Sequence, residues 1–375
     1  MRKRRNGEGS IFQRKDGLWV AQVEAGWEDG KRARRLYYGK TFAEAKAKLA
    51  AATEAIKNGL PAPDERRTVA SFLSEWLDGK RATVRPSTWN AYEVNVRRNV
   101  VPRVGHLPLQ KLAPAHLQAI YAEALASGLS PMSVRHIHAM LHAALGQAEA
   151  WSLVPRNVAR LVHPPRAPRK EMQALSPEQA RTLLDAARGD RLEAIYVLAV
   201  TTGMREGELL ALRWPDVDLE GARLRVVATL QNTGDGYTFT EPKTARSRRQ
   251  VALTQTAVAA LRRHNAAQQM EARVAADVWQ DMGLVFTNEI GRPLDPHNLV
   301  QRSFYPLLRA ASLPRIRFHD LRHSAATLML GRGIHPKIVS EMLGHSQIAV
   351  TLDLYSHVTP TMQREATAAL DAVLA

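Results

Sequence analysis

Residues 315–330 read RIRFHDLRHSAATLML, and residues 341–358 read EMLGHSQIAVTLDLYSHV. In the first stretch His319 and Arg322 stand three apart, which puts both on one face of a helix. An arginine forks onto two phosphate oxygens, and a histidine gives or takes a proton near neutral pH. His319 and His323 are also four apart, as in helical zinc sites. No Glu stands beside the first of them and no third ligand is evident, so no metal is expected here. In the second stretch His345 precedes Tyr355 by ten residues. A lone tyrosine is ordinarily a packing residue, whereas one that follows several phosphate-binding candidates can act as a nucleophile.

Two upstream segments carry the same kind of side chain. Arg205 lies in TTGMREGELLALRW (201–214), with Glu208 three residues on. Such a pair is usually a surface ion pair. The Thr-Thr-Gly before it, however, makes a tight entry that sets Arg205 near a helix start, a suitable place for an anion. Lys243 lies in TEPKTARSRRQVAL (240–253), in an expected turn between strands, where a hairpin can deliver an ammonium group to a reacting oxygen.

Taken in order, Arg205, Lys243, His319, Arg322, His345 and Tyr355 resemble the full active-site set of the tyrosine recombinases, the phage-integrase family. The surrounding words resemble it too: TGMREGELLALRW, EPKTARSRR, HDLRHSAAT, MLGHS and TLDLYSHV. The match runs from Leu175 to about Val358 with no departure at the six positions. The segment from Thr68 to Pro165 resembles the family's helical core-binding domain. GSIFQRKDGLWVAQV, followed by basic strands, is similar to the arm-binding domain of phage and conjugative-element integrases.

Composition agrees. Lys and Arg outnumber Asp and Glu by 52 to 36, a formal charge of +16 over 375 residues, which points to a polyanionic partner. Apolar residues make up 45% of the chain, enough for packed cores. With no cysteine, disulfides, thiolate chemistry and Cys-ligated zinc are excluded. The longest apolar run, around Ile195–Val200, is too short to span a bilayer, and the basic start MRKRRNGEGS leads into polar residues rather than a signal peptide. A cytoplasmic protein is expected, associated with the bacterial nucleoid when active.

Two linker-like stretches, KNGLPAPDERRT (57–68) and HPPRAPRK (163–170), divide the chain. The expected fold is multidomain and mainly α with small β elements: residues 1–60 an arm-type DNA-binding domain, 66–165 a helical core-binding domain, and 171–375 a mixed α/β catalytic domain. In the first piece, strands flanking Asp16-Gly17 and a run from Arg32 to Tyr38 suggest a three-stranded sheet, with a helix over Thr41 to Lys57. Arg14, Lys15, Arg32, Arg34 and Arg35 on or beside these strands are candidate DNA contacts, with Trp19 and Tyr37 as packing supports; they fit a solvated basic face equally well. In the second piece, apolar stripes at Val69–Leu77, Leu117–Leu125 and Val134–Ala148 predict three helices. Arg135, on the polar face of the last with His136, His138 and His142, is a further candidate contact. In the third piece, helices are expected over Ser176–Ala187 and Arg191–Arg213, then strands within Arg223–Leu253.

The resemblance implies a cofactor-free reaction at the attachment sites of a mobile element. Tyr355 attacks the scissile phosphate to leave a 3′-phosphotyrosine, Arg205 and Arg322 hold the non-bridging oxygens, and Lys243 protonates the leaving 5′-oxygen. His319 and His345 hydrogen-bond the phosphate or assist proton transfer, and Glu208 orients Arg205 or a neighbouring histidine. It further implies a homotetramer on double-stranded DNA. The stripe Met362, Ala366, Ala369, Leu370, Val373 and Leu374 would dock on a neighbouring protomer or pack on its own domain. A host bending protein and an excision factor are possible partners. The alternatives within reach of the same residues are a type IB topoisomerase, a chromosome-dimer resolvase and a DNA-binding regulator that does not cut.

Overall fold

The computed structural model describes residues 9–28, 31–57, 66–168, 172–232, 236–242, 248–345, 347–349 and 351–352, with 367, 371 and 374 near the end. The described chain forms two compact units, residues 1–169 and 170–375.

The first unit opens with the expected meander. Strands β1 (Ser10–Gln13), β2 (Trp19–Glu28) and β3 (Lys31–Gly39) pair antiparallel in that order. Gly17, at φ +85°, turns β1 into β2, and the Asp16 carboxylate accepts from the Leu18 N–H at 3.2 Å. The helix Phe42–Lys57 covers the sheet, and Ala45 and Ala52, seven residues apart, bury completely against Ala21, Val23 and Tyr37. Trp19 meets Phe42 edge-on at 5.1 Å. Trp19 and Tyr37 thus pack, as expected.

A second, larger core in this unit is purely helical. The helix Val69–Arg81 starts at Thr68, whose side chain caps Ser71 in a reciprocal box, and buries Val69, Phe72, Leu73, Trp76 and Leu77. The helices Pro114–Ala126 and Pro131–Ala150 supply the other two stripes, the latter capped by Ser130 and burying Met140 as well. Leu125 departs from its stripe: it is exposed in the last turn of its helix.

The second unit surrounds the helix Glu193–Thr202, buried on nearly every side by its own unit, as its unbroken apolar sequence requires. The helices Pro177–Ala186 and Gln255–Ala275 flank it. Strands β4 (Val217–Asp218), β5 (Arg223–Val226) and β8 (Arg249–Ala252) form one small antiparallel sheet. Strands β6 (Thr229–Asn232) and β7 (Tyr237–Thr240) form a separate hairpin. The helices Asp320–Gly331 and Pro336–Leu343 carry the motif-bearing stretch. The continuous helix expected over Arg191–Arg213 is broken in two: Gly203 ends the first part and a short helix, Glu206–Leu210, begins two residues past Met204. The break is what serves the site. Among the described residues no helix is long and apolar enough to cross a membrane.

Candidate active site

Gly203 stands at the centre of the construction. It takes φ +63°, the left-handed conformation that ends a helix and that side chains resist. A Cβ there would come within 2.3 Å of the end of the Leu343 side chain, which would have to shift within the packed Pro336–Leu343 helix. The turn also presents its carbonyl, which accepts from Arg322 Nη1 at 2.8 Å. Two residues on, Arg205 is the N-cap of the helix Glu206–Leu210.

Glu208 then gathers two arginines. Its Oε1 accepts from Arg205 Nη1 at 2.7 Å, and its Oε2 accepts from the Arg205 backbone N–H at 3.1 Å and from Arg249 Nη2 at 2.9 Å. Glu208 is 3% exposed, yet its carboxyl is held below the usual range, because the Arg249 and Arg205 hydrogen bonds and charges outweigh the burial that pushes it up. Glu208 is therefore a buried carboxylate, not the surface partner that its spacing ordinarily means. Both arginines also grip the end of the Pro336–Leu343 helix. Arg249 Nε donates to the Met342 carbonyl at 2.6 Å, and Arg205 Nη2 donates to that of Gly344 at 3.2 Å. Gly344, at φ +67°, closes the helix, and a Cβ there would press the Arg249 guanidinium at 3.0 Å. His345 follows directly.

Arg322 is 3% exposed, and its Nη2 is buried without a hydrogen-bond partner among the described residues. Burial and the neighbouring Arg205 and Arg249 charges lower its pKa to about 9, against the pull of Glu208. It stays protonated at neutral pH. A buried N–H with no acceptor costs about 1–3 kcal/mol and more on a charged guanidinium, a penalty that an anion in the site would remove. Glu208 is hydrogen-bonded by Arg205 and Arg249, and Arg322 adds a third cation that feels its charge without bonding it, so this part of the site carries excess positive charge.

The histidines are neutral. His345 is pushed down to about 3 by burial and by Arg322, Arg205, His323 and Arg249. Its Nδ1 lies 2.8 Å from the hydroxyl of Thr351, which is fully buried. His319 is the N-cap of the helix Asp320–Gly331 and stands ahead of the helical face on which its spacing to Arg322 placed it. More than a third of its surface reaches solvent; still, the protein packed around it, with His323, Arg322 and Arg205, lowers it to about 4. Its ring meets that of His323 edge-on at 5.1 Å. Neutral imidazoles among fixed cations can accept or pass a proton while the arginines supply the charge.

The fold thus brings together Arg205, Glu208, Arg322 and His345, with His319 close enough to feel the Arg205 and Arg322 charges. Lys243 and Tyr355 lie outside the described residues, the first between β7 and β8 and the second three residues past Leu352. The C-terminal stripe also lies outside them, except for Leu374, which is exposed. Two residues were missed by sequence reading. Arg249 alternates with Val251 and Leu253, both buried, so strand period two does put a cation on an inward face. Thr351 has no signal of its own.

The candidate DNA contacts separate. Arg14, Lys15 and Arg34 are exposed, although Arg14 lies 3.2 Å from the Asp16 carboxylate. Arg35 is half-buried opposite the buried Val23, on the core side of the sheet with Tyr37, which weakens it as a groove contact. Nothing is described of the Arg32 side chain. Arg135 is exposed on its helix, as are His136 and His142. His138 is engaged by the Tyr121 hydroxyl at 2.9 Å.

The second unit is thus a mainly helical fold in which arginines cluster around a buried carboxylate. Residues 173–362 match the phage integrase family and residues 68–125 its N-terminal SAM-like domain, so the chain belongs to the phage integrase family of tyrosine recombinases and is a site-specific recombinase. It is 31% identical to a "Tyrosine recombinase XerC-like" of Caldanaerobacter subterraneus subsp. tengcongensis, covering 92% of this chain and 93% of the relative. It is 33% identical to an integrase of Streptomyces ambofaciens, covering 97% and 96%. Among solved structures, the Tn1549 transposon integrase in complex with transposon right end DNA superposes with TM-score 0.69 at 23% identity, covering 82% of this chain and all of that one. A lambda integrase tetramer bound to a Holliday junction superposes at 0.57 and 17%, covering 94% and 96%. At these identities the structures speak for the fold.

Proposed function

We propose that the chain integrates or excises a mobile element, and that Arg205, Arg322, His319, His345, Lys243 and Tyr355 carry the chemistry. The observation that carries this reading is the buried, unpartnered Nη2 of Arg322 in a site of excess positive charge. A scissile phosphate supplies the missing acceptor. Arg322 and Arg205 then stabilise the charge that grows on the non-bridging oxygens of the phosphorane-like transition state. Tyr355 attacks phosphorus and expels the 5′-oxygen, which takes its proton from Lys243. The phosphotyrosine conserves the bond energy, so rejoining needs no nucleotide. His345 and His319, both neutral, hydrogen-bond the phosphate or relay the tyrosine proton.

The proposal extends to the rest of the chain. Residues 1–60 read arm sites, 66–165 and 171–375 grip the core site, and four copies assemble on DNA through the C-terminal tail. The tetramer of lambda integrase on a Holliday junction supports such an assembly by likeness of fold. Host bending and excision factors, and action within the cytoplasm, belong to the same reading. The test is a suicide substrate nicked near the cleavage point. The full chain is expected to form an SDS-stable adduct, and Tyr355→Phe to bind DNA but form none. An adduct with the Phe variant would move the nucleophile elsewhere.

A further inference from the structure

We infer that Thr351 is a positioning residue, whose buried hydroxyl fixes the ring orientation and tautomer of His345. The inference rests on the proposed role of His345 at the phosphate.

The geometry has three parts. His345 leaves the C-cap at Gly344, and Arg205 holds the Gly344 carbonyl while Arg249 holds that of Met342, so the backbone leading into it is restrained. Backbone restraint does not decide which ring nitrogen faces the arginines, because a flip about the Cβ–Cγ bond exchanges the two edges of an imidazole. The Thr351 hydroxyl at 2.8 Å from Nδ1 makes that choice. Thr351 is 0% exposed and its own N–H donates to the Ile348 carbonyl at 2.8 Å, so its hydroxyl is anchored by a turn rather than free to follow the ring. With Nδ1 engaged, Nε2 is the nitrogen left for the site.

The ring is neutral at working pH, so its two nitrogens differ: one carries the proton and the other a lone pair. If Nδ1–H donates to Thr351, Nε2 offers a lone pair that can accept a hydrogen bond from the tyrosine hydroxyl. If Thr351 donates, Nε2–H is a donor suited to a phosphate oxygen. In either case losing the hydroxyl releases the choice. Thr351 is also four residues before Tyr355 in the sequence. Hence the segment that leads to the tyrosine also sets the histidine.

Thr351→Val keeps the shape of a fully buried side chain and removes only the hydroxyl. Single-turnover cleavage of the suicide substrate by the full chain is expected to slow about 10–100-fold, the scale of losing an outer-shell partner of a functional imidazole. DNA affinity is expected to stay within about twofold, and Thr351→Ser to recover most of the rate. In a His345→Ala background the Val substitution is expected to cost nothing further, since a positioning residue has nothing left to position. Ring-nitrogen NMR of His345 supplies a second readout, independent of activity: Thr351→Val is expected to shift its tautomer signature. An unchanged His345 spectrum overturns the inference, as does an equal loss with and without His345. An unreactive wild type with intact Thr351–His345 coupling in the spectrum would instead refute the proposed chemistry and leave the positioning role standing.

Discussion

Arg249→Met tests the buried charge cluster that organises the site. The Arg249 side chain is 6% exposed and Glu208 3%, and they meet at 2.9 Å. Methionine fills similar space but leaves the Glu208 Oε2 without a cation and the Met342 carbonyl without its 2.6 Å donor. Breaking a buried pair by removing one partner costs about 3–5 kcal/mol. Arg205 still holds Oε1 at 2.7 Å, which keeps the carboxylate partly compensated, so the lower end, about 3 kcal/mol, applies. For a unit of this size each kcal/mol moves the midpoint by about 2–4 °C, giving a fall of about 6–12 °C. Calorimetry of the full chain, following the transition of the second unit, measures it. Glu208→Gln combined with Arg249→Met is expected to cost less than the sum of the two single changes, because the pair is lost only once, although Arg205 then loses its carboxylate as well. A drop below about 1 kcal/mol for Arg249→Met, or a double variant worse than the sum of its parts, would refute the view that this ion pair is structural.

Other expectations follow from the same geometry. Lys243→Ala should slow cleavage, and a 5′-bridging phosphorothiolate, whose leaving group needs no proton, should restore it; without rescue the acid is elsewhere, with His319 next in line. Stability should fall as pH drops from about 6.5 toward 4. An unfolded histidine titrates near 6.5 while folded His345 titrates at about 3 and His319 at about 4, so the unfolded state binds the extra protons and gains in acid. Urea midpoints at pH 7.5 and 5 check this, and His345→Gln should flatten the difference. Strand cleavage is expected to survive EDTA, and reversible loss restored by zinc or magnesium would revive a metal reading of His319 and His323. Replacing Arg14, Lys15 and Arg34 by Ala should flatten the salt dependence of binding to an arm-containing DNA by about 0.9 in log–log slope for each phosphate no longer neutralised, and leave an isolated core site unaffected. Unchanged arm footprints would reduce them to a solvated basic face.

Much of this protein is written locally. The three stripes of the first unit's helical core, Leu125 apart, fall where period 3.6 puts them, because an apolar residue needs only its own helix to find the buried side. Asp16-Gly17 marks its hairpin because only a left-handed residue closes that turn. The family was legible through the type and order of six residues and the words around them, and the fold brings Arg205, Arg322 and His345 of those six together. What sequence could not supply is what depends on contacts between distant segments. Thr-Thr-Gly marks a helix start at Arg205, and the break at Gly203 follows it; only packing decides that the Leu343 side chain, 140 residues away, lies against the space beside Gly203. Glu208 reads as a surface partner of Arg205, yet is buried because a third party, Arg249, arrives from β8. Thr351 reads as one more threonine until the fold sets its hydroxyl against His345. Local periodicity decides which side of an element is buried; only the packing of elements decides which buried charges meet.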